Sequence, residues 1–315
     1  VILVIFLIFL MVMIMISISY IDFWDEPPHQ IWFTKFLEYH FGSVKIVPYN
    51  SNPDILLCSC LYNTSANQSL ALIKRTKSKC KLFFYGENLD RYQPYNDYSL
   101  LRSTFDLIVG FKQTDPSRKQ IRFPLWLLYY PYYCWNDKEN IVTHIETQYE
   151  SLKGKQNMFG TIVSNHDTFG QRTKIYNELD KYGTIRSPGR FKNNTLELGP
   201  TSKDKIEYIS NSLYNICCEN SAFEGYCTEK IFQALEAGTI PLYWANDLPE
   251  PNIIERHKYV FCDVNNAESL ESSINHACKN PNQYLSGPVF TKDAGKHVKS
   301  FYDILITSIK NKLFP

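Results

Sequence analysis

The 315-residue sequence has no excess of charge of either sign: 33 Lys and Arg stand against 32 Asp and Glu. No strongly basic field is available to attract a polyphosphate backbone, and basic residues are not interleaved with aromatics, so nucleic acid is excluded as a partner. The chain lacks a Gly-x-Gly-x-x-Gly turn and a phosphate loop, which removes an ordinary dinucleotide or ATP site. No two of the nine cysteines have C-x-x-C spacing, so a zinc site is not signalled either. Their number is odd, and their pairing cannot be read from sequence, although an oxidising compartment would let some of them pair.

What the sequence does have is one long apolar run. "VILVIFLIFLMVMIMI" covers residues 1–16 and continues through Ser17, Ile18, Ser19 and Tyr20. It is close to the length that crosses a bilayer as a helix, and no small-residue cleavage site follows it. Asp22, Asp25 and Glu26 come next, with no Lys or Arg before Lys35. The expectation is an uncleaved signal-anchor over 1–20 and a single-pass type II membrane protein whose bulk is lumenal (Golgi-like) or otherwise non-cytoplasmic. Asn63, Asn67 and Asn193 each open an N-x-S/T sequon, which matters only in that setting.

Beyond residue 20, short apolar runs alternate with helical patterns. "DILLCS" (54–59), "CKLFFYGEN" (80–88) and "FDLIVGF" (105–111) read as strands, as do "NMFGTIVSN" (157–165), "LYNICC" and "TIPLYW". Helices are expected from about Gln171, with Ile175, Tyr176 and Leu179 inward, near 203–211, and over "TEKIFQALEA". Alternation of this kind implies an α/β fold with doubly wound parallel sheets. The polar, turn-rich stretch at 129–156 marks a junction. The expected organisation is an N-terminal domain over 21–150, a second over 151–285 and a closing amphipathic helix over 286–315 packed across both. Two Rossmann-like halves would face a cleft, with ligand at the carboxyl ends of the strands.

"CENSAFEGYCTEK" (218–230) places polar residues between an apolar strand and an apolar helix. Thr228 is expected to cap the helix that begins at Glu229, and Gly238 to stop it. Glu229 and Lys230 then fall in the first turn, where backbone N–H groups and the helix dipole favour an anion. An acid there is ordinary. A lysine opposes the dipole unless a bound anion compensates, and a phosphate would do so; a solvated surface lysine is the competing reading. Asn220 and Tyr226 converge on the same turn, Gly225 loosens it, and Glu219 either faces the site or closes the turn. His40, His144, His166 and His257 have no triad-like partners and read as structural or surface groups.

The block "CCENSAFEGYCTEKIFQALEAGTIPLYW" resembles the signature of the α-1,3/1,4-fucosyltransferase family (glycosyltransferase family 10). "FYGEN" (84–88), "IRFPLWLLYY" and "VSNHDTFGQRTKIYNEL" resemble its other segments in family order, so that the likeness runs from about 22 to 285. The resemblance implies a GT-B fold, with an acceptor domain followed by a donor domain, and inverting transfer of L-fucose from GDP-fucose to an oligosaccharide or glycoconjugate hydroxyl, the 3-OH of GlcNAc or Glc. It implies that Lys230 and Arg172 bind the diphosphate, that Glu229 holds the ribose, that Asn220 and Tyr226 line the donor pocket, and that Glu87 is the general base. Arg122 is a candidate acceptor contact, with an ion-pair or surface role as its alternative. No Asp-x-Asp is present to hold a divalent ion, so no metal and no cofactor is expected. Cys218 replaces the family's aromatic before Glu-Asn, and Cys227 adjoins Tyr226; both read as packing substitutions, with sensitivity to alkylation of a thiol near the donor as the alternative. Two rivals share these features: transfer from another nucleotide sugar on the same fold, and a membrane-anchored glycan-binding protein without catalysis.

Overall fold

In the computed structural model, residues 15–61, 65–130, 138–147, 157–199 and 201–315 are described. The chain divides into two compact units, Val1–Phe123 with Phe301–Pro315, and Pro124–Ser300. Parts of the expected junction, 131–137 and 148–156, and the sequon asparagine Asn63 lie outside the described residues.

The first unit contains β1 (Ile16–Ile21), α1 (Trp32–Phe41), β2 (Val44–Ile46), β3 (Ile55–Cys58), α2 (Ala66–Arg75), β4 (Cys80–Phe84), α3 (Tyr98–Thr104), β5 (Leu107–Gly110) and β6 (Gln120–Arg122). The strands form one sheet in the order β2-β1-β3-β4-β5-β6, and every pairing is parallel. Strands β3, β4 and β5 are almost wholly buried, which is why they read as continuous apolar runs rather than alternating ones. A ring cluster packs at α1, where Trp32 stacks on Phe36 with centroids 4.9 Å apart. Tyr302, from the last helix of the chain, meets Phe123 edge-on at 5.1 Å and is fully buried.

Strand β1 corrects the expected anchor. Residues 16–20 are not part of a membrane helix: they lie inside the sheet, paired on one side with β2 and on the other with β3. β-Branched Ile16, Ile18 and Ile21 suit a pleated, buried surface. Ser17 donates through its N–H and its hydroxyl to Asp54 Oδ2, at 2.8 and 2.7 Å, tying β1 to the start of β3. Residues 1–14 of the expected anchor lie outside the described residues, and among the described residues no helix is long and apolar enough to cross a membrane.

The second unit contains α4 (Lys138–Thr147), β7 (Met158–Thr161), α5 (Gln171–Asp180), β8 (Ile185–Arg186), α6 (Ser202–Ile209), β9 (Ser212–Cys218), α7 (Glu229–Glu236), β10 (Ile240–Trp244), β11 (Val260–Phe261), α8 (Ala267–Lys279) and α9 (Pro281–Leu285). The final helix, α10 (Ala294–Leu313), begins here and ends in the first unit. The second sheet is again parallel, in the order β11-β10-β9-β7-β8. Tyr214, Ile216 and Cys218 of β9 point into a core with Ile175 and Leu179 of α5 and Ile274 of α8. The alternate residue Cys217 faces α7, its thiol 3.6 Å from the Lys230 carbonyl. Helix α7 is held from outside by Trp126, whose ring stacks on Phe232 at 3.9 Å and whose indole N–H donates to Glu250 at 3.0 Å. Gly238 takes the left-handed conformation just beyond α7 (φ 72°), as a helix stop requires.

Candidate functional site

The stretch from β9 to α7 is organised by one carboxylate. Glu219 follows the last residue of β9, extends the ladder by donating its N–H to the Trp244 carbonyl at 2.9 Å, and is fully buried. Its side chain accepts the Thr228 N–H and the Thr228 hydroxyl, each at 2.7 Å, and the Lys230 ammonium at 3.1 Å. Lys230 donates also to the Thr228 hydroxyl oxygen at 2.9 Å. Thr228 therefore does not cap α7 through its side chain, as the sequence rule predicts. Its hydroxyl proton goes to Glu219, and its oxygen, which a cap would offer to a backbone N–H, takes the Lys230 ammonium in a charge-assisted bond instead. Glu219 thus closes the turn and binds the lysine at once. The loop between them is tied down by Gly225, at φ 69°, whose N–H donates to Asp247 at 2.8 Å.

Arg172 reaches the same strand end from the first turn of α5. Its guanidinium donates to the Cys218 carbonyl at 3.0 Å, to the Glu219 carbonyl at 3.4 Å and to Asn220 Oδ1 at 3.2 Å, and the residue is 4% exposed. Asp167 fixes the start of α5: one carboxylate oxygen accepts the Arg172 N–H at 3.0 Å, the other the Thr173 N–H and hydroxyl at 3.0 and 2.6 Å. Asp167 was not singled out from sequence, although an Asp just before a helix is a recognisable start signal. Tyr226 is buried, and its N–H donates to the Phe223 carbonyl at 3.1 Å.

A further cation stands beside Glu229. Lys205 of α6 lies 3.9 Å from the Glu229 carboxylate, the same distance as Lys230. Burial works against the Glu229 carboxylate, but Lys230 and Lys205 together outweigh it and hold its pKa below the ordinary glutamate value. Burial lowers the Lys205 pKa, and Glu229 pulls it back. Lys205 escaped the sequence reading; the available signal was its position one turn before the buried Ile209, on the inner face of α6.

In the first unit Glu87 stands three residues beyond β4, at the carboxyl end of a central strand, and is half-buried. With burial as the main cause and Glu87 as a contributor, the Cys60 thiol is pushed up to about 12. Arg122 closes β6 and is buried, with its guanidinium on the Phe111 carbonyl and its N–H on Thr114 Oγ1 at 3.0 Å. Cys218 is sealed in the core, and burial holds its thiol far above the ordinary value, so it is a poor nucleophile toward alkylating agents. His144 pairs with Tyr130 at 3.0 Å, His257 with the Ser286 carbonyl at 3.3 Å, and His166 is exposed. Among the described residues, no three His, Cys, Asp or Glu lie together so as to hold a metal ion.

Arg172, Asn220, Glu229 and Lys230 are thus gathered at one strand-end and helix-start of the second unit, with Glu87 and Arg122 in the first. Residues 152–291 match the family model "Glycosyltransferase family 10 (fucosyltransferase) C-term". An alpha-(1,3)-fucosyltransferase of Helicobacter pylori is 25% identical over 213 residues, which cover 58% of this chain and 42% of the relative. The chain thus matches under half of the length of that curated relative. A crystal structure of alpha1,3-fucosyltransferase superposes with a TM-score of 0.65 at 17% identity, covering 93% of this chain and 90% of the other. A second, of alpha1,3-fucosyltransferase with GDP-fucose, does so with 0.57 at 17% identity, covering 92% and 90%. At that identity the structures establish a shared α/β fold with two parallel sheets. The family model matches the stretch that contains Arg172, Asn220, Glu229 and Lys230, and over residues 152–291 the chain is similar to glycosyltransferase family 10, the fucosyltransferase family.

Proposed function

We propose that this protein is a GT-B glycosyltransferase that moves L-fucose from GDP-fucose, with inversion, to a hydroxyl of an oligosaccharide or glycoconjugate, the 3-OH of GlcNAc or Glc. The observation that carries this reading is the convergence of two cations from separate helices on one residue: Arg172 on the Glu219 carbonyl and Lys230 on the Glu219 carboxylate. Together with the N-terminus of α7 they make a preorganised site for a diphosphate. The leaving GDP is an anion, so it needs charge stabilisation more than a proton. Arg172 and Lys230 take the phosphates, Glu229 the ribose, and Asn220 and Tyr226 the wall of the donor pocket. Single displacement with inversion needs one carboxylate to take the acceptor proton, and Glu87 is that base. Arg122 contacts the acceptor in this scheme. No metal has a part in it.

The test is transfer by the full chain from a panel of nucleotide sugars to LacNAc- and Lewis-type acceptors, with and without excess EDTA. Transfer from GDP-fucose alone, unchanged by EDTA, is the expected result. Transfer from a different donor overturns the specificity, and loss of transfer in EDTA overturns the metal-free scheme. Glycan binding with no transfer from any donor would mark a binding protein.

A further inference from the structure

We propose that Lys205, on α6, is a positioning residue of the donor site that clamps the Glu229 carboxylate jointly with Lys230. This rests on the reading of the β9–α7 junction as a nucleoside-diphosphate-sugar site. Four charges alternate there: Lys205, Glu229, Lys230 and Glu219, with successive separations of 3.9, 3.9 and 3.1 Å. The two lysines have different duties. Lys230 is shared, bonded to Glu219 and to Thr228 as well as facing Glu229. Lys205 has one acid within ion-pair distance among the described residues, and that acid is Glu229.

The rest of α6 leaves Lys205 free for this task. Asp204 is engaged in a capping box with Thr201, accepting its N–H at 3.0 Å and its hydroxyl at 2.6 Å. Glu207 lies 3.9 Å from Lys203 on the outer side. The box also fixes the start of the helix, at Ser202, three residues before Lys205, so the lysine is carried on a rigid turn. The Lys205 side chain is 24% exposed, and an ammonium withdrawn that far from water is retained at a cost unless it is paired. The groups that face it are Glu229 and Lys230 from α7, Cys217 from β9, and Glu219 just after β9.

The chemistry follows from what an ionised carboxylate can do. It is an acceptor only, and it can take two hydroxyl donors at once, which matches a ribose diol. A glutamate on the first turn of a helix has three side-chain torsions to restrain. Two cations at equal distance, one on its own helix and one on α6, keep it ionised and narrow its orientations before the donor arrives. Lys205 therefore acts through Glu229 and touches no reacting atom.

The experiment is calorimetric titration of GDP into the full chain and its Lys205→Met and Lys205→Arg variants, from about pH 8 down to about pH 4.5, with transfer kinetics alongside. Lys205→Met is expected to weaken GDP binding about tenfold and to raise the donor KM by the same factor, the size of a lost charge-assisted contact, with kcat nearly unchanged. It should also move the acid-side loss of GDP affinity to higher pH, because Glu229 then has one stabilising cation instead of two. Lys205→Arg should recover both. Wild-type protein that binds GDP, beside a Lys205→Met variant with the same affinity and the same acid limb, overturns the Lys205 role alone. A kcat loss at unchanged KM overturns it too, by placing Lys205 in the chemical step. Wild-type protein that binds no GDP overturns the nucleotide reading and the Lys205 role together. Should Lys205→Met lower the thermal midpoint, Lys205→Gln, which keeps a polar head, is read against the same outcomes.

Discussion

The Lys230 ammonium lies 3.1 Å from a Glu219 carboxylate that has no exposure to solvent. Removing the lysine leaves a buried carboxylate short of its cation, which costs about 3–5 kcal/mol in comparable sites. Lys230→Met is therefore expected to lower the thermal midpoint as well as to weaken GDP binding. Adding Glu219→Gln removes the stranded charge and should recover most of the midpoint, while GDP binding stays weak. Thermal melts and GDP titrations on the single and double variants check this. Recovery of both properties together would deny Lys230 a direct part in binding.

Glu87→Gln keeps shape and polarity but cannot take a proton. Transfer is expected to fall by about 10²–10⁴-fold, the usual contribution of a positioned base. GDP affinity should be unchanged, since the residues proposed to hold the donor belong to the other unit. Steady-state kinetics with calorimetry decide the matter, and a variant that retains full turnover removes Glu87 from the mechanism.

Cutting the chain at residue 22, as an anchor over 1–20 would invite, deletes a strand that has neighbours on both sides. Buried Ile16, Ile18 and Ile21 go with it, each contributing about 1.5–3 kcal/mol. A chain starting at 22 is expected to be insoluble or to lack a cooperative melt, whereas one starting at 15 keeps β1. Circular dichroism melts of the two truncations compare them directly.

Glu236, the last residue of α7, has a carboxylate oxygen that is buried with no hydrogen-bond partner among the described residues. Burial pushes its pKa up to about 7. The folded value lies above the unfolded one, so the folded chain binds the extra proton. Its contribution to stability is present below pH 4.5 and is lost as pH rises toward 7. Glu236→Gln should stabilise the chain at pH 8, by on the order of 1 kcal/mol, and have little effect at pH 4. Equal shifts at both pH values would contradict the assignment.

Much of the candidate site was legible because its signals are local. An apolar run, a polar break and an amphipathic period are enough to place Glu229 and Lys230 on the first turn of α7 and Gly238 after its end. Strands β3, β4 and β5 were legible for a similar reason, each a short apolar run with punctuation. Strand β1 was hidden by its neighbours in sequence: Ile16–Ile21 adjoins another apolar stretch, and length alone made one element of the two. Thr228 departs from a cap rule that holds only when no stronger donor competes for the hydroxyl oxygen, and the Lys230 ammonium, two residues later, is such a donor. Lys205 could not be seen beside Glu229, because that pairing depends on how α6 packs against α7. Cys218 and Cys227 are both buried, which agrees with their reading as packing substitutions.

Tyr302 closes the ring cluster of the first unit, yet it is encoded after the whole of the second. Synthesis runs in the opposite order to this assembly. The strands and rings of the first sheet leave the ribosome early, and domains tend to fold as they emerge. Here Trp32, Phe36 and Phe123 must wait for the ring that covers them until the whole second unit has been made. A nascent chain therefore carries an aromatic socket that only residues beyond the second unit can fill, and a premature stop anywhere before Tyr302 releases a first unit with that socket open.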